Sequence, residues 1–324
     1  MAEYVIAVDG GNSKTDVVIA STGGELLART RGPGVDSPLI GVDNWRNALI
    51  ALVEQARLTA GVGIDTRAAG AAYFLANVDL PTEFDVARRE LAAATPAVVS
   101  VVDNDTLAIL RAGATRSWGV AVVSGAGINA IGIGPTDRRE GFLALGDYTG
   151  DAGGGGDLAI LGLAAAVRAW DGRGPATALS QTVPAHFGLR TAEDVAIAVH
   201  RGEIARDEMH VLAPVVFATA TAGDAVARRI LTDFGDEVAT MANALIRRLD
   251  LTGSDVEVIL GGGILQAGDR SLYGRILSGI TAVAPLAQVR ALDVAPVFGA
   301  LVEAFTLVGA DTPALADLRA RLRS

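Results

Sequence analysis

The chain has 324 residues, half of them hydrophobic, 20% charged and none of them cysteine. That is ample for one large or two medium globular domains, and it excludes disulfide scaffolds, thiolate zinc sites, cysteine nucleophiles and cysteine-held iron–sulfur clusters. A formal net charge of −10 argues against partners held by phosphate neutralisation, so no nucleic acid and no anionic membrane surface is expected.

The N-terminus carries no basic segment followed by an apolar one, and glycines and Asn129 interrupt the uncharged stretch around 118–135. A cytoplasmic, membrane-free protein is the expectation. Residues 4–8 form a compact β-type run. Asp9-Gly10-Gly11-Asn12-Ser13-Lys14-Thr15 follows, then a second β-branched run at 17–20. Strand, glycine turn, strand is the simplest reading, with a third strand over 25–31. Trp45, Ala48, Leu49, Leu52, Val53 and Ala56 recur at three and four. This spacing predicts an amphipathic helix over 44–58, capped by Asp43 or Asn44. A strand over 69–75, a helix over 84–94 and a buried strand over 97–102 come next. The last runs into Asp103-Asn104-Asp105 and a helix over 106–113.

At Gly119 the opening pattern returns. A strand at 120–123 leads through Ser124-Gly125-Ala126-Gly127-Ile128-Asn129 into a second at 130–133. One supersecondary unit repeated at domain-sized spacing predicts two related lobes. The segment 153–250 reads as mostly helical. Its clearest element is 224–249, where Val226, Ile230, Leu231, Phe234, Val238, Met241, Leu245, Ile246 and Leu249 form one face. A strand over 256–260 precedes Gly261-Gly262-Gly263, and helices are expected over 297–308 and 313–322.

Several segments have the composition of a phosphate or phosphoryl-transfer site, each beside a plainer reading. The first turn is not a P-loop, because the required glycine–lysine spacing is absent and a strand follows it. Its glycines would still let backbone N–H groups approach a phosphate. Lys14, the only lysine beside 26 arginines, would add a point charge, Thr15 a hydroxyl donor, and Asp9 a carboxylate for a Mg²⁺ water. An ordinary hairpin would also use such a turn. Gly125, Ala126 and Gly127 form the second turn, and two such turns facing each other could hold a triphosphate.

Asp105 stands where a strand hands over to a helix. A carboxylate there could accept a proton from an attacking hydroxyl, or Asp103, Asn104 or Asp105 could simply cap the helix. The glycine run 153–156 reads as a loop or as a helix N-terminus presenting N–H groups. Gly261-Gly262-Gly263 reads as a tight turn or as backbone lying close to adenine. Asp171-Gly172-Arg173-Gly174-Pro175 reads as a turn, and His186, His200 and His210 have no metal-binding spacing.

Taken in order, these segments resemble the BadF/BcrA-type ATPases, and within them the N-acetylglucosamine kinases of the sugar kinase, heat-shock protein 70 and actin superfamily. The resemblance rests on Asp9-Gly10-Gly11 with Lys14-Thr15, Asn104-Asp105, Gly125, Gly127 and Asn129, Gly150-Asp151, 171–175, Leu260 to Gly263, and Pro296 with Gly299-Ala300. It implies an α/β, two-lobed, actin-like (ribonuclease H-like) fold of duplicated βββαβαβα units with a cleft between the lobes. The first lobe would run to about 115, with a C-terminal helix near 308–324 packing back on it, and the second would cover 116–307.

The resemblance further implies ATP and Mg²⁺ in the cleft, with Asp9, Gly10, Gly11, Asn12, Ser13, Lys14, Thr15, Gly125, Ala126, Gly127, Gly261, Gly262 and Gly263 on the nucleotide side. Asp105 would be the general base on the sugar 6-hydroxyl. Asp36, Asn104, Asn129, Gly150 and Asp151 would contact the sugar, and a homodimer is the family-level expectation. Leu143-Ala144-Leu145-Gly146, Ala126 and the residues after Asp151 depart from the kinase pattern on the sugar side. A carboxylate at Asp36 would favour glucosamine over N-acetylglucosamine. A sugar or nucleotide sensor and an ATPase acting with a protein partner are the alternatives.

Overall fold

The structure is a computed structural model that describes residues 3–35, 37–39, 41–63, 66–94, 97–310 and 313–323. Three antiparallel strands open the chain: β1 (Tyr4–Gly10), β2 (Lys14–Ser21) and β3 (Leu26–Pro33). Then come α1 (Val42–Thr59), β4 (Ala68–Leu75), α2 (Pro81–Ala94), β5 (Ala97–Asn104) and α3 (Asp105–Gly113). The strands form one sheet in the order β3-β2-β1-β4-β5, with β4 and β5 parallel to β1.

The second half repeats this plan with β6 (Gly119–Ser124), β7 (Ile128–Ile133) and β8 (Arg139–Gly141). A helical block follows, α4 (Gly155–Trp170), α5 (Leu179–His186), α6 (Ala192–His200), α7 (Ala213–Thr221) and α8 (Ala225–Arg248). After it come β9 (Glu257–Gly261), α9 (Gly263–Gln266), α10 (Arg270–Thr281), β10 (Gln288–Ala291), α11 (Val297–Leu307) and α12 (Pro313–Arg321). Its sheet order, β10-β9-β6-β7-β8, matches the first strand for strand, with β9 parallel to β6. This is the expected duplicated α/β, actin-like plan. The helical block enters between β8 and β9, where the first lobe has α1 alone.

Strand alternation divides the interior into three layers. Tyr4, Ile6 and Val8 face α1 and α2, with Trp45, Leu49, Val53 and Leu91. Val5 and Ala7 face a central layer shared by both sheets, with Leu107, Leu110, Ala121, Ile259, Leu301 and Phe305. Val120, Val122, Val258 and Leu260 face the helical block. α11 packs across α3, β1 and β4. The backbones of α3 and α11 approach so closely that a Cβ on Gly299 would lie 2.0 Å from the Ala108 carbonyl oxygen. Leu318 and Leu322 join the same central layer at the C-terminus, where Arg319 pairs with Asp293 at 2.6 Å.

Three local expectations are corrected. The strand expected to be buried over 97–102 is β5, a sheet edge on which residues 98–100 are exposed and only Val102 to Asn104 are buried. α1 starts at Val42 and is capped by Gly41 in the left-handed region (φ 82°), so neither Asp43 nor Asn44 is its cap. Glycine adopts that conformation without a Cβ penalty, and Asp43 instead sits in the first turn and pairs with Arg46 at 2.8 Å. The edge strands β8 and β10 were not anticipated. They have three and four residues, with exposed or half-buried side chains, so neither carries an apolar alternation. No single described helix is long and apolar enough to cross a membrane.

Candidate active site

The ends of β1, β5, β6 and β9 converge on a cavity of about 250 Å³ lined from both halves of the chain. The β1–β2 turn contributes Asp9, Gly11, Asn12, Ser13 and Lys14. The β5–α3 junction contributes Asn104 and Asp105. The second turn brings Gly125, Ala126, Gly127 and Asn129, and Gly262 completes the wall. Ligands of open parallel sheets collect at such carboxyl ends. A Cβ on Gly125 or Gly127 would meet nothing within 4 Å, so these two glycines leave cleft volume open.

Other expected residues lie outside this lining. Thr15 is fully buried and its hydroxyl donates to the Pro33 carbonyl at 2.7 Å, so it is engaged within the sheet. Gly10 is a packing glycine, since a Cβ would lie 2.8 Å from Leu75 Cδ2. Gly261 packs likewise against Ile109, and Gly263 opens α9 on the exposed side. Gly150 is exposed in the left-handed region (φ 75°). Asp151 accepts from the Gly146 N–H at 3.1 Å and from the Thr149 hydroxyl. Asp36 lies outside the described residues. His186, His200 and His210 do not line the cavity.

The glycine run before α4 is not a ligand-facing helix end. Gly153 and Gly154 donate to Asp157 Oδ2 at 3.0 and 2.9 Å, and Gly155 and Gly156 donate to the carbonyls of Gly125 and Ala126 at 2.8 and 3.4 Å. These N–H groups seat the second turn. The contact is too tight for a side chain, because a Cβ on Gly154 would lie 2.2 Å from Ala126 O. Gly262 (φ 87°) closes the same seat, a Cβ there falling 2.2 Å from Ser124 O.

Acidic groups dominate the electrostatics. Asp9 is buried, and its carboxyl is held well above the usual range by burial, then by Asp105 and Asp16, with Lys14 and Arg31 opposing. Asp16 is matched by Arg31 at 2.9 Å. Asp105 opens α3, and burial pushes it up to about 6 against the backbone N–H groups of Thr106 and itself. The cap of α3 is Asn104, whose Oδ1 accepts the Thr106 N–H at 2.9 Å, so Asp105 is spared that role. Among the described residues no three His, Cys, Asp or Glu side chains form a metal cage. Mg²⁺ ordinarily takes only one or two carboxylates with waters and substrate phosphates. The buried oxygen donor of Asp9, whose charge is disfavoured by neighbouring carboxylates, suits that mode of binding.

Two residues of this site were missed in the sequence. Asp79 lines the cavity and accepts from Asn104 Nδ2 at 2.9 Å and Asn129 Nδ2 at 3.0 Å. Burial, then Asp105 and Glu83, push it up to about 7. Asn77, in the left-handed region (φ 59°), donates to Asn12 Oδ1 at 2.7 Å and steadies the first turn. Both follow the carboxyl end of β4, a parallel strand beside β1, and that position was the available signal. Asp79, Asn104 and Asn129 also wall a neighbouring cavity of about 320 Å³ that holds Phe84, Arg88, Arg139 and Phe142. There the Asp103–Arg139 ion pair joins β5 to β8.

The profile of the BadF/BadG/BcrA/BcrD ATPase family matches residues 6–304. The chain is 25% identical over 266 residues to an N-acetylmuramic acid/N-acetylglucosamine kinase of Clostridium acetobutylicum, covering 82% of this chain and 86% of that one. It is 24% identical over 281 residues to an N-acetyl-D-glucosamine kinase of Dictyostelium discoideum, covering 82% and 87%. In fold it is similar to a Chromobacterium violaceum protein provisionally named N-acetylglucosamine kinase (TM-score 0.71, 23% identity, 95% of this chain and 99% of that one). It is also similar to a Streptomyces griseus ROK family glucokinase solved with glucose and AMPPNP (TM-score 0.56, 18% identity, 98% and 99%).

Proposed function

The chain belongs to the BadF/BadG/BcrA/BcrD ATPase family, and from that premise we propose that it is an ATP-dependent sugar kinase acting on the 6-hydroxyl of an amino sugar, N-acetylglucosamine or glucosamine. The observation that carries the reading is Asp105, a carboxylate with raised proton affinity between two glycine turns contributed by the two halves of the chain. The kinase names of the relatives support the same class.

In this reading the two turns flank the ATP phosphates, with Lys14 supplying the positive charge; the Gly11 and Gly125 N–H groups close the turns themselves, on the Lys14 and Gly127 carbonyls at 2.9 and 3.0 Å. Asn104, Asn129 and Asp151 orient the sugar. Asp105 takes the proton from the 6-hydroxyl as that oxygen bonds to the γ-phosphorus, while the bond to the β-phosphate oxygen breaks and ADP leaves. Asp9 would hold Mg²⁺ through its waters, and the ion, when bound, offsets phosphate charge. Closure of the lobes would exclude water that otherwise hydrolyses ATP.

The test is ADP release from Mg-ATP with N-acetylglucosamine, glucosamine, N-acetylmannosamine, glucose or no sugar. Release dependent on an amino sugar is expected. Release without any sugar would replace this reading with an ATPase, and ATP binding without turnover would replace it with a sensor.

A further inference from the structure

Asp79 lies against both amides that the proposed reading assigns to the sugar. One belongs to each half of the molecule: Asn104 caps α3, and Asn129 follows the second turn in β7. Their Nδ2 groups donate to the same oxygen, Asp79 Oδ1, at 2.9 and 3.0 Å. Their own oxygens each accept one backbone N–H, Asn104 from Thr106 at 2.9 Å and Asn129 from Ala130 at 2.7 Å. A side-chain amide has two N–H donors and two oxygen lone pairs. Asn129 therefore keeps one N–H and one lone pair. Asn104 keeps one lone pair, its second N–H leaning on the Val78 carbonyl at 3.4 Å. Rotating either amide by half a turn would set an oxygen against the carboxylate and an NH₂ against a backbone N–H. Each orientation is thus held from two sides, by a backbone N–H on the amide oxygen and by the shared Asp79 carboxylate on the amide nitrogen.

We propose that Asp79 is a positioning residue for the acceptor sugar: it pins Asn104 and Asn129 in one orientation across the cleft, so that their remaining donor and acceptors meet the sugar's hydroxyl oxygens. The role rests on the sugar-kinase reading and assigns Asp79 no part in proton transfer. Asp79 also bridges the two halves of the chain at the sugar side, next to the Asp103–Arg139 pair.

The groups around Asp79 are Asp105 on α3, Glu83 on α2 and Asp151 before α4, with Arg88 and Arg139 lining the adjoining cavity. Arg139 is already paired with Asp103. Burial first, then Asp105, Glu83 and Asp151, raise Asp79 to about 7 against the lowering effect of the Asn129 hydrogen bond. Its bonds to the amides therefore strengthen as pH rises through neutrality and the carboxylate forms.

Two measurements test this on the full chain. In ¹⁵N-labelled protein, the Nδ2 resonances of Asn104 and Asn129 should shift together as pH passes through about 7. That shared titration should vanish in Asp79→Asn. In steady-state kinetics, Asp79→Asn should raise the KM for the sugar roughly tenfold, the scale of one weakened charge-assisted hydrogen bond. Asp79→Ala should raise it further, and kcat and the KM for ATP should stay within about twofold in Asp79→Asn. Amide resonances unaffected by Asp79→Asn would overturn the pinning. An unmoved sugar KM, or an equal rise for ATP, would overturn the role while leaving the kinase reading intact. A wild-type chain that phosphorylates no sugar would overturn the reading itself and with it the role.

Discussion

A single carboxylate decides the proposed chemistry. Asp105→Asn keeps the shape and removes the base, so turnover should fall roughly 10²–10⁴-fold with ATP affinity nearly unchanged; wild-type turnover would refute the assignment. Because burial raises Asp105 to about 6, the ionised base is lost as pH falls. The kcat should therefore rise with pH and level off above about 6, measured at constant ionic strength, while kcat/KM for the sugar goes on rising until Asp79 ionises near 7. The stability sign runs the other way. A folded-state pKa above the unfolded value means that the native state binds more protons between the two, so this group makes the protein less stable as pH rises from about 4 to 6. Asp105→Asn should accordingly leave the melting temperature, read by calorimetry, equal or higher despite its loss of turnover. Asp105 was legible in the sequence because an apolar β-type run leads to it, although the structure leaves Val98 and Val99 of that edge strand exposed. Asp79 was not: its importance comes from Asn129, 50 positions away in the chain, and no local pattern records that meeting.

Among the elements, the second turn and the start of α4 act as one unit. Gly154→Ala would push a Cβ into Ala126 O, 2.2 Å away, and the turn would have to move. Its KM for ATP should rise several-fold, whereas Gly156→Ala, with its nearest atom at an ordinary 3.7 Å, should leave it unchanged. Equal behaviour of the two variants would show that the seat does not shape the nucleotide side. The long strands and amphipathic helices were legible because each buries a regular face. β1 supplies alternate residues to two layers, and the face read from Val226 to Leu249 is the buried face of α8. The four-glycine run before α4 was ambiguous, because a glycine run suits a ligand, a loop and a close backbone crossing equally well. Only the bonds from Gly155 and Gly156 to the second turn separate these uses.

At the scale of the molecule, the two halves are joined through α3 and α11, which cross in the central layer. Gly299→Ala would place a Cβ 2.0 Å from Ala108 O, so the helices must separate. The overpacking should cost about 1–3 kcal/mol and lower the melting temperature by several degrees. An unchanged transition would mean that the crossing relaxes freely. Duplication was visible in the chain because the strand–turn–strand pattern recurs after Gly119, and the matched sheet orders bear it out. Hydrophobic periodicity and turn chemistry are local properties, so the chain alone determined the repeated unit and the two glycine turns with Asp105 as a candidate site, and the order of its short motifs, through the family resemblance, added the actin-like fold class and the roles of Asn104 and Asn129. The tertiary structure alone decided which glycines line the cleft and which are packing contacts, that the Thr15 hydroxyl is spent on Pro33, and that Asp79 joins Asn104 to Asn129. Each of these depends on distances between segments far apart in the chain, and those distances are set by how the two sheets and the helices between them pack.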